Sequence, residues 1–157
     1  MKGSMGKEFS KELVAPCGMD CNVCSGYLAF RHDMKNKGIR MSTCEGCRPR
    51  DKQCAFLKKR CVSLKNHTVS FCYECNEYPC ENLLHIDMRY KKYFRMSLLE
   101  NLSMIQKNGI EKFLEVEAEK WCCQTCEGVL CCHNGLCFHC DTDLLREKKQ
   151  KYRWDDE

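Results

Sequence analysis

The chain has 157 residues, with 26 basic and 22 acidic side chains and a formal net charge of +4, too mild to imply nucleic acid by itself. Cysteine is 17 of the 157 residues, a share that signals a cysteine-built scaffold. Without it the apolar fraction of 43% falls to roughly a third, which excludes a large oily core and leaves disulfides or metals to hold the fold.

Metal is the better expectation. Residues 1–16 contain no apolar run fit for a signal peptide, and no stretch approaches the roughly 20 apolar residues of a membrane span. A cytosolic address follows, where thiols stay reduced and closely spaced cysteines bind metals. The odd cysteine total also suits a paired disulfide framework poorly.

Residues 1–13 read as a polar arm. Cys17, Cys21 and Cys24 then form a Cys-x3-Cys-x2-Cys triplet, with Gly18 free to take positive φ where backbone wraps a metal. The same triplet occurs in radical enzymes that carry a four-iron cluster, but those need most of a (β/α) barrel, and this chain lacks the length and the alternating pattern. Ser25 is placed to cap a short helix running to about Met34 and ending at Asn36-Lys37-Gly38.

Cys44-Glu-Gly-Cys47 is a knuckle with glycine at its turn. The next stretch predicts a helix with Cys54, Leu57, Cys61 and Leu64 on one face. On a continuous helix Cys54 and Cys61 stand about 10.5 Å apart along the axis, too far for one tetrahedral ion. They belong to different sites, or one is simply packed. Cys72-x2-Cys75 follows, and Pro79 presents Cys80 from an extended chain. The simplest closure of the triplet is Cys17, Cys21 and Cys24 with Cys80 as the fourth ligand; the other groupings stay open.

These motifs carry a resemblance. APCGMDCNVC, then CEGC, the spaced Cys54 and Cys61, and FCYECNEYPCENL resemble the DUF3795 family of small cysteine-rich proteins. NLSMIQKNGIEKFLEVEAEKWCCQTCEG is similar to its longer members, so the resemblance spans roughly residues 14–140. It implies zinc binding through the cysteines and no particular activity.

From Glu81 to Trp121 helical periodicity takes over. Tyr90, Phe94, Leu98, Leu102 and Ile105 form one buried stripe, Asn108-Gly109 ends it, and Ile110, Phe113, Leu114 and Ala118 begin another helix. The run Arg89–Arg95 mixes basic and aromatic residues as nucleic-acid surfaces do, though an amphipathic helix with its aromatics in the core is the commoner cause.

The end cluster has the most specific spacing. Cys123-x2-Cys126 and Cys137-x2-Cys140 make two knuckles of a zinc ribbon, with a short strand at Val129–Cys132. His133 is the substitute ligand, or else a surface histidine; Cys122 and Cys132 are spares. Residues 141–157 read as a charged, fraying tail.

The expected fold is therefore small α+β, mostly helical and irregular. Its parts are an arm at 1–13, a cysteine-cluster domain at 14–81, a helical segment at 82–121, ribbon-like knuckles at 122–141 and a tail at 142–157. The expected function is a cytosolic zinc-binding protein with structural metal sites that serves as a macromolecular interaction module. A protein partner is favoured, nucleic acid comes second, and no membrane is involved. The alternative is an iron–sulfur protein handling electrons or sulfur; a thiol enzyme using Cys61 or Cys132 ranks third. No catalytic residue is assigned.

Overall fold

The computed structural model describes residues 9–46 and 69–154. Five α-helices appear there: α1 (Ser25–Arg31), α2 (Glu81–Tyr93), α3 (Leu98–Asn108), α4 (Ile110–Lys120) and α5 (Thr142–Glu147). Short 3-10 turns stand at Lys11–Leu13, Cys21–Val23, Met34–Lys37 and Cys72–Glu74. The β content among the described residues is three isolated antiparallel bridges, Val14 with Asp20, Cys122 with Val129 and Leu130 with Cys137. The protein is helical with little strand, and the strand expected at Val129–Cys132 is reduced to two single bridges. The helix expected around Cys54–Leu64 lies outside the described residues.

The stripe from Tyr90 to Ile105 is buried as its spacing requires, with Leu98 and Leu102 fully enclosed. It is carried by two helices rather than one. Ser97 breaks the chain by capping α3, its Oγ accepting from the Glu100 N–H at 3.2 Å. Asp87 on α2 fixes that cap, accepting from Ser97 Oγ at 2.8 Å and from the Leu99 N–H at 3.1 Å. A local cap thus competes successfully with continued helix. Gly109, at φ 90°, ends α3 and starts α4.

Most of the interior is one cluster that joins the ends of the chain. Val14, Met19 and Val23 from the N-terminal turns pack with Leu83 of α2, Leu98 and Leu102 of α3, Phe113 of α4, and Cys132. A second cluster joins Leu28 of α1 and Met34 to Cys131, Phe138 and Leu145 of α5. Each of these enclosed large side chains contributes about 1.5–3 kcal/mol of burial.

Gly18 takes the positive φ expected of it, 92°, but for a different reason. A Cβ there would stand 2.5 Å from the Leu98 carbonyl oxygen, so glycine is needed for close approach to α3 rather than to a metal. Asn101 of α3 holds the same turn, its amide donating to the Gly18 carbonyl at 2.9 Å.

The tail does not fray over its described part. Leu145 is fully buried, the Trp154 indole N–H donates to the Cys132 carbonyl at 2.9 Å, and the Arg95 guanidinium lies 3.9 Å from the Trp154 ring centroid. Charge in the sequence masked two anchoring apolar residues.

Candidate metal centre

Cys123 and Cys126 follow α4 directly. The Trp121 C-cap sends the chain into a turn in which the Glu127 N–H donates to the Cys123 carbonyl at 2.9 Å. Glu127 itself sits in the left-handed region, at φ 61°. The Cys123 N–H then donates to the Gly128 carbonyl at 2.8 Å. This closes a loop with both sulfurs on one side. Cys137 and Cys140 lie just before α5, where the Asp141 carboxylate accepts from the Cys137 N–H at 2.9 Å. The Leu130–Cys137 bridge brings the two loops together.

All four sulfurs lie within 4.8 Å of one another. Cys126 and Cys137 are 3.6 Å apart, Cys123 and Cys140 4.0 Å. A tetrahedral ion with metal–sulfur bonds near 2.3 Å requires sulfur separations of about 3.8 Å. The set can hold one metal ion. Backbone donors already point at it, Gly128 N–H to Cys126 Sγ at 3.3 Å and Cys140 N–H to Cys137 Sγ at 3.4 Å, as thiolates require. Gly128 is constrained by the same crowding: a Cβ there would lie 3.0 Å from Cys126 Sγ.

The protonation preferences describe a cluster short of positive charge. Burial opposes ionisation of Cys123, but the backbone N–H groups of Cys126 and Thr125 outweigh it and bring the thiol down to about 7. The neighbouring sulfurs, led by Cys126, push Cys140 up to about 12. Four thiols this close cannot all ionise without a cation among them.

His133 is not brought to these sulfurs. It is buried, its Nδ1 accepting from the Ser25 N–H at 3.1 Å, which consumes the lone pair a metal would need. Its Nε2 faces the Tyr90 hydroxyl at 3.2 Å. It is neither a fifth donor to the group nor a surface side chain. Cys122 is half-buried with its thiol toward the Cys123 carbonyl. Cys132 is fully buried, and burial above all raises its thiol well above the ordinary range, so it lacks the exposure and thiolate character of a reactive cysteine.

Among the N-terminal cysteines, Cys17, Cys21 and Cys72 are buried and Cys24, Cys44, Cys75 and Cys80 partly so. Among the described residues no two cysteines are joined by a disulfide. The Cys72 N–H donates to the Pro16 carbonyl at 2.8 Å, which seats the second motif against the first. Cys80 leaves an extended backbone to cap α2. Among the described residues the end cluster is the one group whose ligand atoms all meet within 4.8 Å. Closure of Cys17, Cys21 and Cys24 by Cys80 is therefore not seen there. Cys47, Cys54 and Cys61 lie outside the described residues. Cys44, the other half of that knuckle, receives the Gly46 N–H at 3.4 Å.

The N-terminal motifs, with their order and spacing, decide the relationship. Residues 13–85 match the family model of DUF3795, a protein family of unknown function. This bears out the resemblance read from those motifs, over a shorter span than residues 14–140. The four-sulfur group lies beyond the DUF3795 segment, yet both share one core through Val23, Cys132 and their neighbours. No curated protein and no solved structure matches the chain.

Three buried carboxyls escaped the sequence reading, Asp87 of α2 among them. Asp20 sits inside the triplet motif and Glu117 on α4, and both are fully enclosed. Glu117 was discoverable: with Ile110, Phe113, Leu114 and Ala118 it occupies the core-facing stripe of its helix.

Proposed function

We propose that the chain is a zinc-binding protein whose metal is structural and whose helical surface docks another protein. The four-cysteine group carries this reading. Four thiolates close a tetrahedral site and leave no position for substrate, the hallmark of structural zinc. The sulfur separations favour a single ion over a multi-iron cluster, which distributes its thiolates over several irons. We extend the reading to the DUF3795 segment, where Cys17, Cys21, Cys24, Cys44, Cys47, Cys54, Cys61, Cys72, Cys75 and Cys80 would hold further zinc. The seating of Cys72 against Pro16, which brings the second motif to the first, supports it. Reduced thiols in this number fit the cytoplasm. Among the described residues no helix is long and apolar enough to cross a membrane.

The docking surface is α2. Tyr90 and Phe94 face the core, whereas Leu84, Met88 and Tyr93 are exposed, Met88 at 67%. Lys91 and Lys92 of the same helix are exposed as well. Exposed apolar groups and cations on one helix suit a protein partner with an acidic, partly apolar surface.

The test is metal analysis of anaerobically purified full-length chain. Zinc in colourless protein is expected, with tetrahedral thiolate absorption after cobalt exchange. One equivalent of metal should be lost in Cys126→Ser and in Cys140→Ser. Brown protein absorbing near 400 nm with stoichiometric iron and sulfide overturns the zinc reading in favour of the iron–sulfur alternative.

A further inference from the structure

A cleft of about 270 Å³ opens beside the four-cysteine group, between α1, the Cys21–Val23 turn and the loop after Cys126. Arg31 and His32 line it from the end of α1, and His139 from the second knuckle. Leu28 and Val129 supply apolar wall, and Cys126 and Gly128 form the edge toward the sulfurs. No carboxylate stands among the described residues that line it. The amide of Asn22, also on the wall, is already engaged by Ser10 and Asp20.

Arg31 is held over the cleft by its own helix. Its guanidinium donates to the Tyr27 hydroxyl at 3.2 Å, one helical turn back, which leaves the other guanidinium N–H groups available. His32 is fixed from the other side by the Phe138 ring, with centroids 6.2 Å apart. Burial first, and then the positive charges of Lys37, Arg31 and His139, holds His32 below its ordinary pKa. Arg31 is the fixed cation of this wall, and the Cys126 sulfur, a thiolate once metal is bound, stands at its edge.

We propose that this cleft binds a small organic anion, a carboxylate or phosphate ester attached to a compact apolar body. The acidic group would meet Arg31, His32 and His139, and the apolar body would lie on Leu28 and Val129. The volume of about 270 Å³ has room for one ring and one acidic group. A bidentate guanidinium suits either acid. The inference rests on the folded four-cysteine group, which positions His139 and the Cys126 edge, but not on which metal fills it.

Calorimetric titration of the full-length, metal-loaded chain with four probes tests this. Phenyl phosphate and benzoate carry the two acids on one ring, inorganic phosphate carries charge alone, and benzyl alcohol carries the ring alone. Phenyl phosphate or benzoate should bind, and whichever is tighter identifies the acid. Inorganic phosphate and benzyl alcohol should be at least roughly tenfold weaker, and Arg31→Gln and His32→Gln should each weaken binding by about tenfold, as expected for losing a charged hydrogen bond. Metal content measured on the same samples separates the two readings: binding lost with metal retained belongs to the cleft. Silence from all four probes with metal in place overturns the proposal, as does equal binding of benzyl alcohol. Unchanged affinity in both variants, or variants that lose metal but still bind, would make Arg31 a mere counter-charge to the thiolates and also overturn it.

Discussion

Asp20 and Glu117 bury their carboxyls together in the main core, one from the triplet motif and the other from the inner face of α4. Asp20 Oδ1 accepts from both the backbone N–H and the amide of Asn22, at 3.0 and 2.8 Å. Asp20 Oδ2, Glu117 Oε1 and the Trp121 indole N–H lack a formed hydrogen bond among the described residues. Burial raises both acids, Asp20 to about 6 and Glu117 to about 8, the latter pushed further by the Asp20 charge. At neutral pH the pair keeps one proton between them, because two carboxyls this close and this buried do not both ionise.

The sign of the pH dependence follows. Glu117 has a folded pKa above its ordinary 4.5, so the folded state binds the extra proton. Its stabilising contribution is complete below pH 4.5 and disappears as pH rises toward 8. Glu117→Gln should flatten denaturant-measured stability across that window. It should also make the protein more stable than the parent above pH 8, by the order of a few kcal/mol. A variant that tracks the parent at every pH would show that the pair does not share a buried charge.

Removing the metal should loosen the end of the chain. Cys137 and Phe138 are almost wholly enclosed, and the four-sulfur group ties their loop to the end of α4. Chelation under reducing conditions should raise amide hydrogen exchange across residues 123–145 by orders of magnitude, because metal binding free energy is folding free energy here. Protection that survives complete demetallation would deny the metal a structural role.

His133 has the opposite pH sign from Glu117. Burial, then the Arg89 charge, lowers it to about 4 from 6.5. Its contribution is present above pH 6.5 and lost as pH falls through 4. His133→Ala would strand the Ser25 N–H and the Tyr90 hydroxyl, so about 2–4 kcal/mol of stability should go. Metal stoichiometry at the four cysteines should stay at the parent value. Loss of one equivalent of metal in that variant would make His133 a ligand after all.

Trp154 should be the strongest single anchor of the tail. Gly135, at φ 73°, leaves space that the indole fills, and a Cβ at Gly135 would collide with the ring. Trp154→Ala should cost about 2–4 kcal/mol, and Gly135→Ala a comparable amount through both clash and backbone strain. Thermal melts of the two single variants and the double variant check this: the double should cost less than the sum, since both act on one contact.

How much of this was legible depended on range. The knuckle pair Cys123/Cys126 and Cys137/Cys140 was readable because ligand spacing within a loop is a local property. The α3 and α4 boundaries were marked by Asn108-Gly109, another local signal. The break at Ser97 was not, since a stripe of period 3.6 persists across it and the deciding partner, Asp87, lies a helix away. His133 misled for the same reason. Sequence neighbours suggested a ligand, while Ser25 and Tyr90 claim both of its nitrogens from distant segments. Trp154 was hidden by the lysines around it.

The contact between the Val23 carbonyl and the Cys132 N–H, 2.9 Å long, also sets a timetable for synthesis. Val14, Met19 and Val23 gain the last of their packing partners only after the chain has been extended through Cys132. At the usual pace of about 5–20 residues per second, that interval lasts on the order of 5–20 s. Throughout it Cys17, Cys21 and Cys72 stand in a core that is still incomplete. The nascent chain therefore passes through a period in which its thiols are open to oxidants and to stray copper or cadmium. Cells limited in zinc, or exposed to peroxide, should accumulate damage in newly made protein while mature protein is spared.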